Sequence, residues 1–407
     1  MRTTVFFVIF FYSSTLFAAG IPANTLPTGG QVSAGRAAIQ QSGASMNVNQ
    51  SSQNAIINWQ QFNIGFQASV RFNQPNNESA TLNRVLSSNP SQIFGSLSAN
   101  GNLFLINPSG IIFGAGSRVD AGGFVASTLN MNDDDFMAAR YRFMRNGATG
   151  SILNQGTLNS TDKGYIALLA PDVRNEGVIA ARLGTVALAA GEKVTLNFSG
   201  DGLVNVAVDP AAIDTLIENR HLVQADGGRV IMSASVADKL YSSVINTSGE
   251  VRARGIESRE GRIFLDSGAG GQTKVSGILD ASSADGRGGG IVATGERVLV
   301  KSGAQLTASG ATGGGEVLVG GSWQGTDSGT GSGAQSTGSG SGSSSASGTG
   351  TQNTGTSSGA TGGAGTTTQS AGTTGGAGTT TQSTGTTGAT TGGAGTTTQS
   401  TGTTGGA

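Results

Sequence analysis

His221 is the only histidine among 407 residues, and there is no cysteine. A zinc site built from Cys and His ligands is therefore excluded within one chain. A Ser-His-Asp triad would have to use His221. That residue sits in Asn219-Arg220-His221-Leu222, with no nucleophile motif nearby, and reads as a structural or exposed histidine. Glycan-cleaving chemistry needs paired carboxylates on one face. Asp133-Asp134-Asp135 is the one tight acidic cluster; Asp162, Asp172, Glu176 and Glu192 are scattered. Three adjacent acids are weak grounds for a calcium site and fit a solvated loop. The run Gly286–Gly290 lacks the Lys-Ser or Lys-Thr of a phosphate loop and reads as a corner of the backbone. No catalytic centre, metal site or cofactor is expected.

The elements that would position any site must then be found. With 69 Gly, 12% charged and 5% aromatic residues, the chain has few long side chains for a broad core. Such a composition suits a narrow, repetitive architecture. Net charge is −1 and no block of Lys and Arg stands out, so no nucleic-acid partner is expected.

Between residues 151 and 321 a pattern recurs. Ile152–Leu158 followed by Gly164–Ala170 matches Val173–Ala180 followed by Gly184–Ala190. The theme returns at Val244–Gly249 with Gly261–Leu265, at Val275–Ala281 with Gly290–Ala293, and at Ser302–Leu306 with Gly315–Val319. The period drifts upward from about 20 residues, as loops of varying length would make it. Each copy holds two or three short alternating Val/Ile/Leu stretches, split by Gly or Asn. Alternation marks half-buried strands, and Gly or Asn permits the tight backbone of a corner. Such a unit cannot bury its apolar face alone, but stacked copies can. The fold class is therefore all-β, a right-handed parallel β-helix, the hand following from the crossover rule. A β-sandwich would show hairpins rather than a drifting self-similarity. Two interruptions stand out. Asp209–Leu222, with Ile213, Leu216 and Ile217 after Asp209-Pro210, predicts a short helical insertion. Asp133–Asp135 with Phe136–Phe143 predicts a short helix or an extra-helical hairpin.

Residues 54–131 carry an ordered set of motifs. Ile57-Asn58-Trp59-Gln60-Gln61-Phe62-Asn63-Ile64-Gly65 precedes Val70–Pro75, Leu82–Val85 and Ile93-Phe94-Gly95. Gly101–Ile106 then leads into Asn107-Pro108-Ser109-Gly110 and Ile111–Gly114. This resembles the amino-terminal secretion domain of filamentous-haemagglutinin-like exoproteins of two-partner secretion systems. In that family an Asn-Pro-Asn-Gly motif marks the domain; here Ser109 takes its third position. Physically the four residues form a turn, Pro108 presetting one angle and Gly110 relieving the corner. The sharper alternative is a direct docking role. Asn58, Trp59, Phe62 and Gly65 are similarly partner-recognition or cap residues.

The resemblance implies recognition of the amino-terminal domain by a partner outer-membrane β-barrel transporter with periplasmic domains, passage unfolded, and folding outside as an adhesin. A host-cell or glycan receptor is a further expected partner. The absence of cysteine suits such a route. The expected organisation is a signal peptide at 1–18, a secretion domain at 19–135, a β-helix continuation at 136–324 and a disordered tail at 325–407. Arg2 and the apolar run Val5–Phe17 carry the signal, with cleavage after Ala18 or Ala19. No second apolar run of that length follows, so no transmembrane anchor is expected. The tail repeats Gly-Gly-Ala-Gly-Thr-Thr-Thr-Gln-Ser and lacks apolar residues that could offset ordering entropy. Sequons at Asn49, Asn77, Asn159, Asn197 and Asn246 are unsurprising in so Asn-rich a chain. Two other functions remain in view: a carbohydrate-active β-helix enzyme, and a truncated carrier of a contact-dependent toxin.

Overall fold

The computed structural model describes residues 21–320, except 199–202, 239 and 257–258, and two short strands beyond, Ala334–Thr337 and Gly348–Thr349. The signal expected at 1–18 and nearly all of the tail lie outside the described residues. The rest forms a parallel β-helix with three strands to a coil. One face runs in parallel register from Ser91–Ile93 through Ile111–Phe113 to Arg297–Val300. The second runs from Ser45–Gln50 to Gln305–Thr307, and the third from Asn54–Trp59 to Glu316–Val319. The first coil is closed by antiparallel strands: Gln31–Ala34 on Asn54–Trp59, and Ala37–Ser42 on Ser45–Gln50.

Strands of three to six residues hold no core by themselves. Stacking supplies it. On the second face Leu97, Val119, Leu158, Ile179, Val223, Val251, Leu279 and Leu306 stand one above another. All eight are buried. Each fully buried side chain of this kind contributes about 1.5–3 kcal/mol. Equivalent residues are 21 apart at Asn154 and Asn175, 44 apart at Asn175 and Asn219, and 28 apart at Asn219 and Thr247. The longest interval holds an excursion from the coil, described below.

Those same residues form a buried amide ladder. Asn154 Nδ2 donates to Asn175 Oδ1 at 2.8 Å, and Asn175 Nδ2 to Asn219 Oδ1 at 2.8 Å. Asn219 Nδ2 reaches Thr247 Oγ1 at 3.3 Å. All four side chains are fully buried. The first two amides also bind their own corners: Gly156 N donates to Asn154 Oδ1, and Gly177 N to Asn175 Oδ1. An amide has donors and an acceptor, so it can serve the rung above, the rung below and the turn together.

A second corner is fixed by space. A Cβ on Gly164 would lie 2.0 Å from the Gly122 carbonyl oxygen, and one on Gly184 1.9 Å from that of Gly164. Gly228 repeats the approach to Gly184 at 2.0 Å. Glycine is needed here because successive coils touch backbone to backbone.

Two excursions leave the coil. The first is the helix Asp133–Met137 followed by the strand Tyr141–Met144. The second is the hairpin Lys193–Phe198 and Val204–Asp209. Tyr141–Met144 pairs antiparallel with Lys193–Phe198, so the two excursions make one three-stranded sheet. It packs on the outer side of the third face, over Phe104, Val125, Ala167, Leu169 and Ala189. Phe136 meets Phe104 edge-on at 5.4 Å, and Tyr141 stacks on Phe104 at 5.0 Å. The helix expected over Asp209–Leu222 is not formed. Asp209 ends a strand, Leu216 and Ile217 lie within the strand Thr215–Asn219, and Leu222 opens Leu222–Gln224. Thr215–Asn219 fills the rung between Asp172–Asn175 and Ser243–Thr247. A helix there would leave one edge of each neighbour unpaired, so tertiary pairing overrides the local spacing. A helix occurs at Asp133–Met137, where its acidic first turn complements the helix dipole.

Gly184→Ala should lower stability by about 2–3 kcal/mol in urea unfolding, as overpacking does. Gly290→Ala, whose Cβ would meet nothing nearer than Arg262 Cγ at 3.9 Å, should change it by less than about 0.5 kcal/mol. Burial holds the Tyr165 phenol well above its ordinary value, with Tyr141 adding to the shift. The unfolded phenol ionises first as pH rises, so this stabilisation is complete below pH 10.0 and lost above it. Tyr165→Phe should flatten the alkaline fall in melting temperature.

Candidate functional site

The residues expected to mark the secretion domain fall into two places. Trp59 and Phe62 lie in the amino-terminal cap, both 1% exposed, with rings edge-to-face at 5.4 Å. Trp59 Nε1 donates to Asn83 Oδ1 at 2.9 Å, and Asn83 Nδ2 to the Phe104 carbonyl at 3.2 Å. Gly65 passes under the incoming chain, where a Cβ would lie 2.2 Å from the Ala23 carbonyl oxygen. Asn58 is half-buried, and its Oδ1 is enclosed without a hydrogen-bond partner.

Asn107 opens the turn between the third and first faces and is fully buried. Its Nδ2 donates to the Asn89 carbonyl and to Ser91 Oγ, both at 3.0 Å. Its Oδ1 accepts from Ser109 N at 3.0 Å, and its carbonyl accepts from Gly110 N at 3.0 Å. Its own N–H donates to the Ser127 carbonyl in the next coil. One side chain thus closes its turn and ties it to the turn beneath. Gly110 takes φ +117°, a backbone that disfavours a side chain. Pro108 and Ser109 are half-exposed, and Ser109 Oγ reaches only the Ser87 carbonyl, at 3.5 Å. The turn therefore makes little demand on the third position, which explains why serine fits there.

Polar residues that sequence reasoning passed over complete this end. Thr81 Oγ1 donates to Gln50 Oε1 at 2.5 Å, and Gln74 Nε2 donates to Thr81 Oγ1 at 2.9 Å. Gln50 and Gln74 are each 7% exposed. Their signal was present: Thr81 and Asn83 occupy inward positions of an alternating strand, Ala80–Val85. Arg84 then latches the first excursion to the cap, through Asn130 Oδ1, the Met131 carbonyl and Asp133.

The acids considered for catalysis are engaged elsewhere. Asp162 pairs with Arg182, Asp172 with Arg174, Glu176 with Arg220, and Glu192 with Arg145. Asp135 pairs with Arg140. Among the described residues no group of three or more His, Asp or Glu side chains comes together to hold a metal ion.

The family model described as "TPS secretion domain" matches residues 18–280. The chain belongs to the TPS secretion domain family. The match spans the cap, the Asn107 turn and both excursions of this TPS domain. The crystal structure of the HMW1 secretion domain from Haemophilus influenzae is 33% identical, with TM-score 0.66, over 72% of this chain and 76% of that one. Two curated relatives, both named heme/hemopexin-binding protein and both from Haemophilus influenzae, are 28% and 25% identical over 261 and 241 residues. These alignments cover 62% and 54% of this chain but only 28% and 26% of the relatives. No helix among the described residues is long and apolar enough to cross a membrane.

Asn107→Ala should lower stability by about 2–3 kcal/mol, because it strands buried partners at Ser91 and in the turn itself. Ser109→Ala should cost less than about 0.5 kcal/mol. Urea denaturation of the two variants separates the roles within the motif.

Proposed function

We propose that this chain is an exoprotein carried across the outer membrane by a dedicated β-barrel transporter, whose periplasmic domains recognise the amino-terminal region at 19–135. Residues 1–18 direct it to the periplasm, and residues 136–324 continue the solenoid as a surface or secreted adhesin that meets a host-cell or glycan receptor. The carrying observation is the family match over 18–280, on a β-helix whose register continues to Gln305–Thr307. The architecture suits emergence from the amino terminus, since each coil offers a template for the next.

Within this proposal Asn107, Trp59, Phe62 and Gly65 act by setting shape, because buried groups cannot meet a partner. The transporter reads the corner they build. Leu86, 63% exposed, opens the Ser87–Pro90 stretch on which the half-exposed Pro108 and Ser109 lie. The chain is non-catalytic: its only histidine is exposed at a corner, and the candidate acids are paired with arginines.

The test is yield in the medium of a Gram-negative host with and without the partner transporter. The double variant Leu86→Asp/Ser109→Arg should fold normally yet leave the cell at about a tenth of the parent level, a difference of roughly 1.4 kcal/mol in recognition. Equal yields with and without the transporter overturn the export route. Normal export of the double variant overturns the surface assignment.

A further inference from the structure

The outward column of the second face makes a trough that neither the core nor the export corner uses. Arg71, Ser98, Asp120 and Asn159 occupy successive rungs of one parallel register. With Asn100 and Thr161 they line an open hollow of about 530 Å³. One wall arises from a local irregularity. The strand Thr157–Leu169 carries extra residues between Ser160 and Tyr165, opposite Ala121 and Gly123. Lys163, at φ +65°, turns the backbone there, and Thr161 stands over the hollow, its Oγ1 held to the Gly122 carbonyl at 3.4 Å.

The polar groups are fixed in advance. Asp120 is gripped by Arg118, at 2.5 Å from Nε and 2.8 Å from Nη2, and accepts from Asn159 Nδ2 at 3.2 Å. Asn100 exchanges two hydrogen bonds with the backbone of Gln74, at 2.7 and 2.9 Å. Groups already held in place lose little freedom when a ligand arrives. Arg71 differs. Arg84, Arg118, Arg140, Arg145, Arg174 and Arg182 each have an acidic partner. The Arg71 side chain is exposed at the end of the trough and makes no hydrogen bond or ion pair among the described residues.

This chemistry narrows the ligand. The backbone groups of the trough floor are spent on the coils to either side, so an extended peptide cannot add a strand. Phe72, 1% exposed, lines the hollow with Ala99 and Ala121 and gives it carbon surface between the polar groups, which the C–H face of a sugar ring can cover. What remains is a row of hydroxyl, carboxylate and amide groups at the rung spacing of about 4.8 Å, close to the length of one sugar ring. At its end stands a guanidinium, whose planar fork matches a carboxylate.

We propose that this trough binds a carboxylated saccharide, with the sugar carboxylate on Arg71 and ring hydroxyls on Ser98, Asp120 and Asn159. The proposal names the class of receptor in the adhesin reading above. It is tested on purified, folded full-length protein, so its failure leaves the export route untouched. Calorimetric titrations with sialyllactose, trigalacturonate and lactose separate the two sources of a sugar carboxylate from a neutral sugar. One acidic probe should bind, with lactose weaker by about tenfold or more, the difference expected for a charge-assisted pair. Added salt should weaken the acidic probe. Arg71→Ala should reduce binding by a similar factor with unchanged unfolding, and Arg71→Lys should restore part of it. Lactose binding as tightly as the acids, full binding by Arg71→Ala, or no heat from either acidic probe at millimolar concentration would each overturn the proposal.

Discussion

Parallel strands hydrogen-bond only at a separation of about 4.8 Å, and that distance governs this molecule. At the second-to-third corner, consecutive backbones come so close that Gly184 could not carry a Cβ without meeting the Gly164 oxygen. At the first-to-second corner the same rise brings Asn154 to hydrogen-bonding distance of Asn175, and Asn175 to that of Asn219. The aliphatic ladders obey it too, since a branched side chain inside the coil packs on its equivalent one rung away. A coil may lengthen from 21 to 28 residues only by pushing the excess outward, which leaves the three inner positions in register.

This rule explains what could be read from the sequence and what could not. The repeated Gly and Asn between Val/Ile/Leu stretches betrayed the corners, because each repeats with the coil. The aliphatic ladders were legible for the same reason. The expected helix over Asp209–Leu222 does not form because pairing between coils outweighs the local spacing of Ile213, Leu216 and Ile217. The decisive partners of Thr215–Asn219 lie in strands 44 residues earlier and 28 later. The pairing of Tyr141–Met144 with Lys193–Phe198 was invisible for the same reason: it joins two excursions from different coils, and nothing local announces it.

The Asn107 turn shows how a short motif can be specific and yet hidden. A backbone that leaves the third face and re-enters the first must close a turn between two similar turns. Asn107 satisfies its own turn through Oδ1 and the turn beneath through Nδ2. No aliphatic residue could do both, and an aspartate would place a carboxylate where two donors are required. Asn107 and Gly110 are buried inside the corner, while Pro108 and Ser109 stand half-exposed at its surface. Asn83, Gln50 and Gln74 play the same part in the cap, where the first coil has no predecessor to pair with.

Inner columns are thus committed to pairing, so any partner must be met by outward columns and corners. Parts of the outer surface are also spoken for. The three-stranded sheet covers the third face around Phe104 and Leu169. Along the first face, Arg174 and Arg220 are neutralised by Asp172, Glu176 and Glu218. Further along the second face, Arg252 and Arg254 are held by Asp226 and Asp280. Burial works against the Asp280 carboxylate, but hydrogen bonds from Ser282 and Arg254 outweigh it and hold its pKa below the ordinary value, so that pair stays charged. The stretch from Arg71 to Asn159 differs from all of these: its amides and carboxylate are fixed by neighbours while its guanidinium is not. A surface preorganised everywhere except at one charge has the form of a site that waits for the opposite charge.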